Sequence, residues 1–185
     1  MKKIVQKEDK VLRKDTKEIP IHEIKTPKIQ KILKEMSTAL KSQDDGVALA
    51  APQIGYPLKI FVVSGKIFDK DFISGKEMQE PHPDPLLVKE RETRPKDLIF
   101  INPVISKMSR EKEWIPEGCL SVRWLYGKTL RSKKATVTAY NENGKKFIRG
   151  ASGLLAQIFQ HETDHLKGVL FTDHAKEIKE ELPVK

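Results

Sequence analysis

The sequence predicts an α+β fold, with antiparallel strands packed around a C-terminal helix and a second helix near the N-terminus. Two stretches with helical spacing of apolar residues lie toward opposite ends of the chain, and the segments between them alternate with a period of two. Helices at the ends with strands between them argue against a regular βαβ succession. At 185 residues the chain is expected to be one domain over residues 1–185, large enough to bury a core without disulfides.

Residues 1–24 mix charged and apolar residues irregularly and include Pro20, which suits an extended arm lying over the body. From Thr26 the pattern becomes helical. Ile29, Ile32, Leu33, Met36 and Leu40 fall on one face, Thr26 is placed to cap and Pro27 suits the first turn, so a helix is predicted over about 27–42. The small residues of 46–55 allow close backbone approach to a ligand or a strand. Pro57 to Val63 reads as a strand, and Leu98 to Ile105 as a strand broken at Pro103.

Between these two strands, residues 64–97 read as a long surface excursion with a short strand or turn around Asp71-Phe72-Ile73. Ala135 to Tyr140 alternates, Asn141-Glu142-Asn143-Gly144 is a hairpin turn signal, and Lys145 to Gly150 is its return strand. The last major element is a helix over about 151–166, carrying Leu154, Leu155, Ile158 and Phe159. A short terminal helix is expected over Ala175 to Leu182.

A net charge of +9, from 35 Lys and Arg against 26 Asp and Glu, makes the exterior basic and favours encounters with anionic partners. The basic residues are scattered, with short runs such as Arg131-Ser132-Lys133-Lys134 read as solvated surface, and no base-reading module is present. The lone cysteine, Cys119, excludes an intrachain disulfide and fits a reducing compartment. The N-terminus lacks an apolar signal core and no run approaches a membrane span, so a cytoplasmic protein without membrane contact is expected.

The chemistry concentrates in His161-Glu162-Thr163-Asp164-His165. Histidines four apart on a helix stack on one face and can hold one cation, and Glu162 between them can take a proton from a water beside it. The plain alternative is a surface helix with incidental histidines. Leu155, Ile158 and Phe159 beside them favour a packed helix, where unpartnered imidazoles are costly. Cys119 is a third candidate ligand; thiolate with imidazole suits zinc or iron(II), and three protein ligands leave a position for water or substrate.

Three separated segments, Gly46-Val47-Ala48-Leu49-Ala50-Ala51-Pro52-Gln53, Glu117-Gly118-Cys119-Leu120-Ser121 and Gln160-His161-Glu162-Thr163-Asp164-His165, resemble the motifs of the peptide deformylases. These are metal-dependent hydrolases that remove the N-formyl group from the first methionine of new proteins. The similarity frames roughly residues 1–172.

The resemblance implies Cys119, His161 and His165 as metal ligands, and Glu162 as general acid/base toward a metal-bound water. It implies Gln53 and the main-chain N–H of Leu120 as oxyanion donors. Gly46, Val47 and Ala48 would form a strand-like lip for the peptide backbone, with Glu117 and Gly118 also on the substrate side. Trp124 and Ile158, beside Leu120, could furnish a pocket for the methionine side chain. One divalent ion is implied, Fe2+ first, with Zn2+, Ni2+ or Co2+ as alternatives. The implied partners are N-formylmethionyl nascent peptides and, transiently, the ribosome, and the protein is expected to be a monomer.

Two departures touch peptide preference and not the metal chemistry: Ala48 stands where many members have glycine, and Arg123 where many have proline. One rival reading is a zinc peptidase in which Asp173 or Glu177 replaces Cys119 as third ligand. Another is a non-catalytic, basic ribosome- or RNA-surface protein, against which stand the complete set of reactive residues and too few aromatics for base stacking.

Overall fold

The computed structural model describes residues 2–69 and 95–182. The strand or turn expected around Asp71 lies outside the described residues. Helix α1 spans Pro27–Lys41, and helix α2 spans Gly153–His165. Among the described residues eight strands separate and follow them: β1 Ala48–Ala50, β2 Ile60–Val63, β3 Leu98–Met108, β4 Lys112–Gly118, β5 Leu125–Ser132, β6 Lys134–Tyr140, β7 Lys146–Ser152 and β8 Lys176–Glu180.

They form two antiparallel sheets, one of five strands in the order β1-β2-β3-β6-β7 and one of three in the order β4-β5-β8. This is the α+β arrangement that the sequence predicts.

Strand β2 shows why the large sheet is covered on both faces. Ile60 and Val62 pack with Ile29, Ile32, Leu33, Met36 and Leu40 of α1, whereas Phe61 and Val63 pack with Ala156, Ile158 and Phe159 of α2. Successive strand side chains point to opposite faces, so four consecutive apolar residues serve two helices. Phe61 stacks on Phe100 at a centroid distance of 4.5 Å, and Phe159 meets Phe100 edge-on at 5.2 Å. Helix α2 also touches β5 and so lies between the sheets.

Three sequence readings are corrected. The segment expected as a terminal helix is strand β8, paired with β5 through Leu125↔Glu180 and Tyr126↔Lys179. Pro103 does not end β3: the strand continues to Met108 through a register shift between Ile101 and Val104, where the missing N–H of proline costs no ladder bond. At that shift Asn102 adopts φ 49° and clips the arm, its side chain accepting from Ile19 N at 2.9 Å and donating to Ile19 O at 2.7 Å. The arm itself is not merely extended. It contains two short 3-10 turns, Lys10–Arg13 and Ile21–Glu23, and buries Leu12, Ile19 and Ile24.

Candidate metal centre

The site forms where the end of β4, the turn after it and helix α2 meet. The ligand atoms of Cys119, His161 and His165 lie within 4.8 Å of one another, and Cys119 Sγ is 3.2 Å from His165 Nε2. Among the described residues, these three form the one group of histidine, cysteine and carboxylate side chains close enough to share a cation. Asp173 and Glu177, the ligands of the peptidase reading, are elsewhere: Asp173 pairs with Arg13 at 2.5 Å and Glu177 with Lys128 at 2.7 Å.

His161 and Cys119 are each held by contacts outside the cluster. His161 turns Nδ1 toward Glu117 Oε2 at 3.2 Å, which leaves Nε2 for the cluster. Glu117 is in turn gripped by Arg131, whose Nε and Nη2 donate to its two oxygens at 2.8 and 3.0 Å. The remaining arm of Arg131, Nη1, donates to Asp164 on α2 at 2.6 Å. Arg131 is 7% exposed, so its reading as part of a solvated basic run is overturned: it is the cation of a buried network.

Gln160 ties the same helix to the end of β5, accepting from Ser132 N and donating to Ser132 O, both at 2.9 Å. Cys119 Sγ accepts from Ser121 N at 3.4 Å and from Gln53 Nε2 at 3.5 Å.

These contacts set the charges. Burial pushes the Cys119 thiol up, but the adjoining imidazoles of His165 and His161 outweigh it and bring it down to about 5. Burial lowers His161, yet the Cys119 sulfur and the Glu117 carboxylate hold it well above its ordinary value. Glu117 is raised by burial and lowered further by hydrogen bonds from His161 and Arg131, to about 2. Burial raises Glu162 to about 7, against the opposing pull of His161 and His165.

A sulfur poised as thiolate beside two imidazoles is a donor set that fits a zinc or iron(II) ion. Glu162 Oε2 and His165 Nδ1 are buried without a hydrogen-bond partner among the described residues. For a carboxylate in such a place, a water or substrate proton is the natural complement.

The cluster opens on a cavity of about 330 Å³ whose walls include Gly46, Val47, Ala48, Gln53, Glu117, Gly118, Leu120, Trp124, Ile158 and Glu162. All the residues expected at the site are therefore brought together. Their parts differ, however: Glu117 is committed to His161 and Arg131, and Ile158 is at once cavity wall and core, 4% exposed.

Gln53 is fixed by Ala50 N, which donates to its Oε1 at 2.7 Å, so Nε2 points to Cys119 and to Ser121 Oγ at 3.2 Å. The Leu120 N–H donates to no group among the described residues.

Two strand edges face the cavity. Ser64 N donates to Val47 O at 2.9 Å, which turns the Val47 main chain toward β2 and, by antiparallel alternation, leaves that of Ala48 on the open edge. On β4, Gln157 Nε2 reaches Pro116 O at 2.7 Å from the side away from β5, and Gly118, two residues on, presents its main chain to the same side. A side chain at Gly118 would meet the Tyr126 ring at 2.7 Å, which accounts for glycine at this position.

Arg131, Asp164, Ser121 and Gln160 were not singled out from the sequence as site residues. Ser121, Gln160 and Asp164 stand inside the quoted motifs but were given no part of their own, and nothing local marks Arg131, which is 14 residues from Glu117 and 33 from Asp164.

Comparison with known proteins agrees with the geometry. A sequence model described as polypeptide deformylase matches residues 1–181. The chain is 35% identical over 173 residues to Peptide deformylase 2 of Clostridium acetobutylicum, covering 94% of both chains. It is 39% identical over 171 residues to Peptide deformylase 1A, chloroplastic/mitochondrial, of Arabidopsis thaliana, covering 92% of this chain and 60% of the longer plant protein. The crystal structure of a peptide deformylase from Legionella pneumophila superposes with a TM-score of 0.73 at 30% identity, covering 96% of this chain and 87% of that one. With motifs, fold and donor set in agreement, the chain belongs to the polypeptide deformylase family.

Proposed function

We propose that this protein hydrolyses the formamide C–N bond of N-formylmethionyl peptides, releasing formate and a free amino terminus. The observation that carries this is the convergence of Cys119, His161 and His165 with Glu162, whose Oε2 has no hydrogen-bond partner among the described residues, at a cavity flanked by two open strand edges. When bound, a divalent cation supplies Lewis acidity, bringing the pKa of water from near 16 to roughly 7 and polarising a carbonyl oxygen.

In this reading Cys119 Sγ, His161 Nε2 and His165 Nε2 hold that cation, and the Glu117–Arg131 pair keeps His161 in the tautomer that frees Nε2. Glu162 accepts the water proton as oxygen attacks the formyl carbon, then delivers it to the amine nitrogen as the C–N bond breaks. A carboxyl raised to about 7 suits both directions of transfer near neutrality. The oxygen that gains charge is met by Gln53 Nε2 from one side and by the Leu120 N–H from the other.

The peptide backbone lies between Gly46-Val47-Ala48 and Gly118 as an added strand, which reads no side chain beyond the first. The methionine side chain rests against Leu120, Trp124 and Ile158. Fe2+ is the proposed physiological ion. Nascent chains are the proposed partners, met in the cytoplasm by a monomer whose basic surface contacts the ribosome transiently.

The test is formate release from formyl-Met-Ala-Ser by protein loaded separately with iron(II), nickel, cobalt or zinc. Turnover with at least one ion is expected; none with any of the four would overturn the reading.

A further inference from the structure

The cavity is closed on one side by a contact that the chemistry above leaves unused. Arg123, 20% exposed, donates from Nη1 and Nη2 to the two oxygens of Asp45 at 2.5 and 3.0 Å, and from Nη2 to Gln43 Oε1 at 3.1 Å. Its guanidinium lies over the Trp124 ring at 4.5 Å from the centroid. Asp45 and Arg123 both line the cavity, one immediately before the lip that begins at Gly46, the other on the turn that carries Cys119 and Leu120. These segments lead into strands of different sheets, β1 and β5, and the two residues are 78 apart in sequence.

The tie is braced from both ends. Gln6 accepts from Arg123 N at 3.4 Å and donates to Leu120 O at 3.1 Å, while Lys66 Nζ holds Asp44 O at 2.7 Å. Between them Gly46 sits under Leu120, where an added methyl group would stand 3.2 Å from Leu120 Cδ1.

A forked guanidinium fixes both the distance and the orientation of its partner, which a single-point contact does not. We infer that Arg123 is a positioning residue for the substrate backbone: through Asp45 it sets the lip at the spacing from Gly118 at which a peptide can bridge both edges. The pair touches no reacting atom, so its loss is felt in peptide affinity and not in the bond-breaking step. The reason is preorganisation. A lip free to drift must be ordered by the peptide itself, and that cost comes out of binding. The inference rests on the proposed peptide-processing role of the cavity.

The test compares nickel-loaded wild type with R123A, D45A, the R123A/D45A double variant and the swapped pair R123D/D45R. Two readouts are used: kinetics on formyl-Met-Ala-Ser, and equilibrium binding of the product Met-Ala-Ser. Each single variant is expected to weaken product binding and raise KM by about fivefold with kcat within about twofold of wild type. The double variant should be no worse than either single one, and the swap should recover most of the loss. Melting midpoints within a few degrees of wild type show that the comparison is between folded proteins, and the swapped pair serves if a single variant does not fold.

Product binding unchanged in R123A, or losses that add in the double variant, would overturn the clamp. Wild type that binds Met-Ala-Ser but hydrolyses no formyl peptide would overturn the deformylase reading instead, with the clamp still judged by its binding ratio. Wild type that does not bind the peptide at all overturns both.

Discussion

Arg131 holds Glu117 by both carboxylate oxygens in the interior, and Glu117 in turn faces the Nδ1 of His161. The orientation of a candidate metal ligand thus depends on a guanidinium that never reaches the cluster. Replacing Arg131 with methionine strands a buried carboxylate, with an expected loss of about 3–5 kcal/mol in unfolding free energy. Metal retention should fall by roughly ten- to a hundredfold. Denaturant melts and metal analysis after dialysis check the two effects separately.

The same carboxylate gives the protein an acid limit. Glu117 is held at about 2 when folded against an unfolded value near 4.5, so between those values the unfolded chain binds more protons. Its contribution, about 3 kcal/mol, is complete above pH 4.5 and is lost as the pH falls toward 2. Stability measured from pH 5 down to pH 2 should decline less steeply in E117Q than in wild type, from a lower starting value. Equal slopes would assign the acid sensitivity to other groups.

Glu162 is expected to matter for turnover and not for assembly. In E162A the cluster keeps all three ligands, so bound metal per chain should match wild type while kcat falls by roughly 10²–10⁴. Near-normal turnover in a fully loaded variant would remove Glu162 from the proton path.

Gln53 is held at Oε1 by Ala50 N and at Nε2 by Ser121 Oγ and Cys119 Sγ, so its amide donor is oriented before a substrate arrives. Q53A should lower kcat by roughly a hundredfold, about 3 kcal/mol in the transition state, with little change in KM. A rise in KM alone would mean that Gln53 binds substrate and transition state equally well.

Cys119 offers a direct chemical reading of the cluster. With a thiol brought to about 5 by its imidazole neighbours, chelator-treated protein should be alkylated by iodoacetamide at a rate already near its plateau at pH 7. Restoring the divalent ion should protect it. A rate still climbing through pH 8–9 would mean an ordinary thiol.

How much of this was legible beforehand follows from range. Helices α1 and α2 and the hairpin of β6 and β7 are written in local periodicity, and the structure returns them within two or three residues. The two histidines and Glu162 were visible for the same reason, since one helix places them. Cys119 became a ligand candidate only in company with them, because its partners lie 42 and 46 residues on and no spacing rule spans that gap.

Strand β8 was misread because Lys-Glu-Ile-Lys-Glu has good helix formers and all five residues are exposed. Pairing with β5 overrides that preference. Strand β5 was missed because its inward positions are Gly127, Thr129 and Arg131 while Leu130 faces outward, which hides the alternation. A Cβ at Gly127 would stand 3.2 Å from Ala175, Ile178 and Lys176, so the glycine marks where β8 comes close. Arg131 looked like surface charge because sequence shows a cation but not the two carboxylates waiting for it.

Cys119 follows β4, an edge strand of the small sheet, whereas His161 and His165 ride a helix packed into the large one. An ion seated among them is therefore a rivet between two halves that each have their own ladder of hydrogen bonds. A fluctuation that parts the halves would also part the ligands, so the ion's occupancy and the docking of the sheets are linked, and each tenfold excess of the ion over its dissociation constant would tighten the seam by about 1.4 kcal/mol.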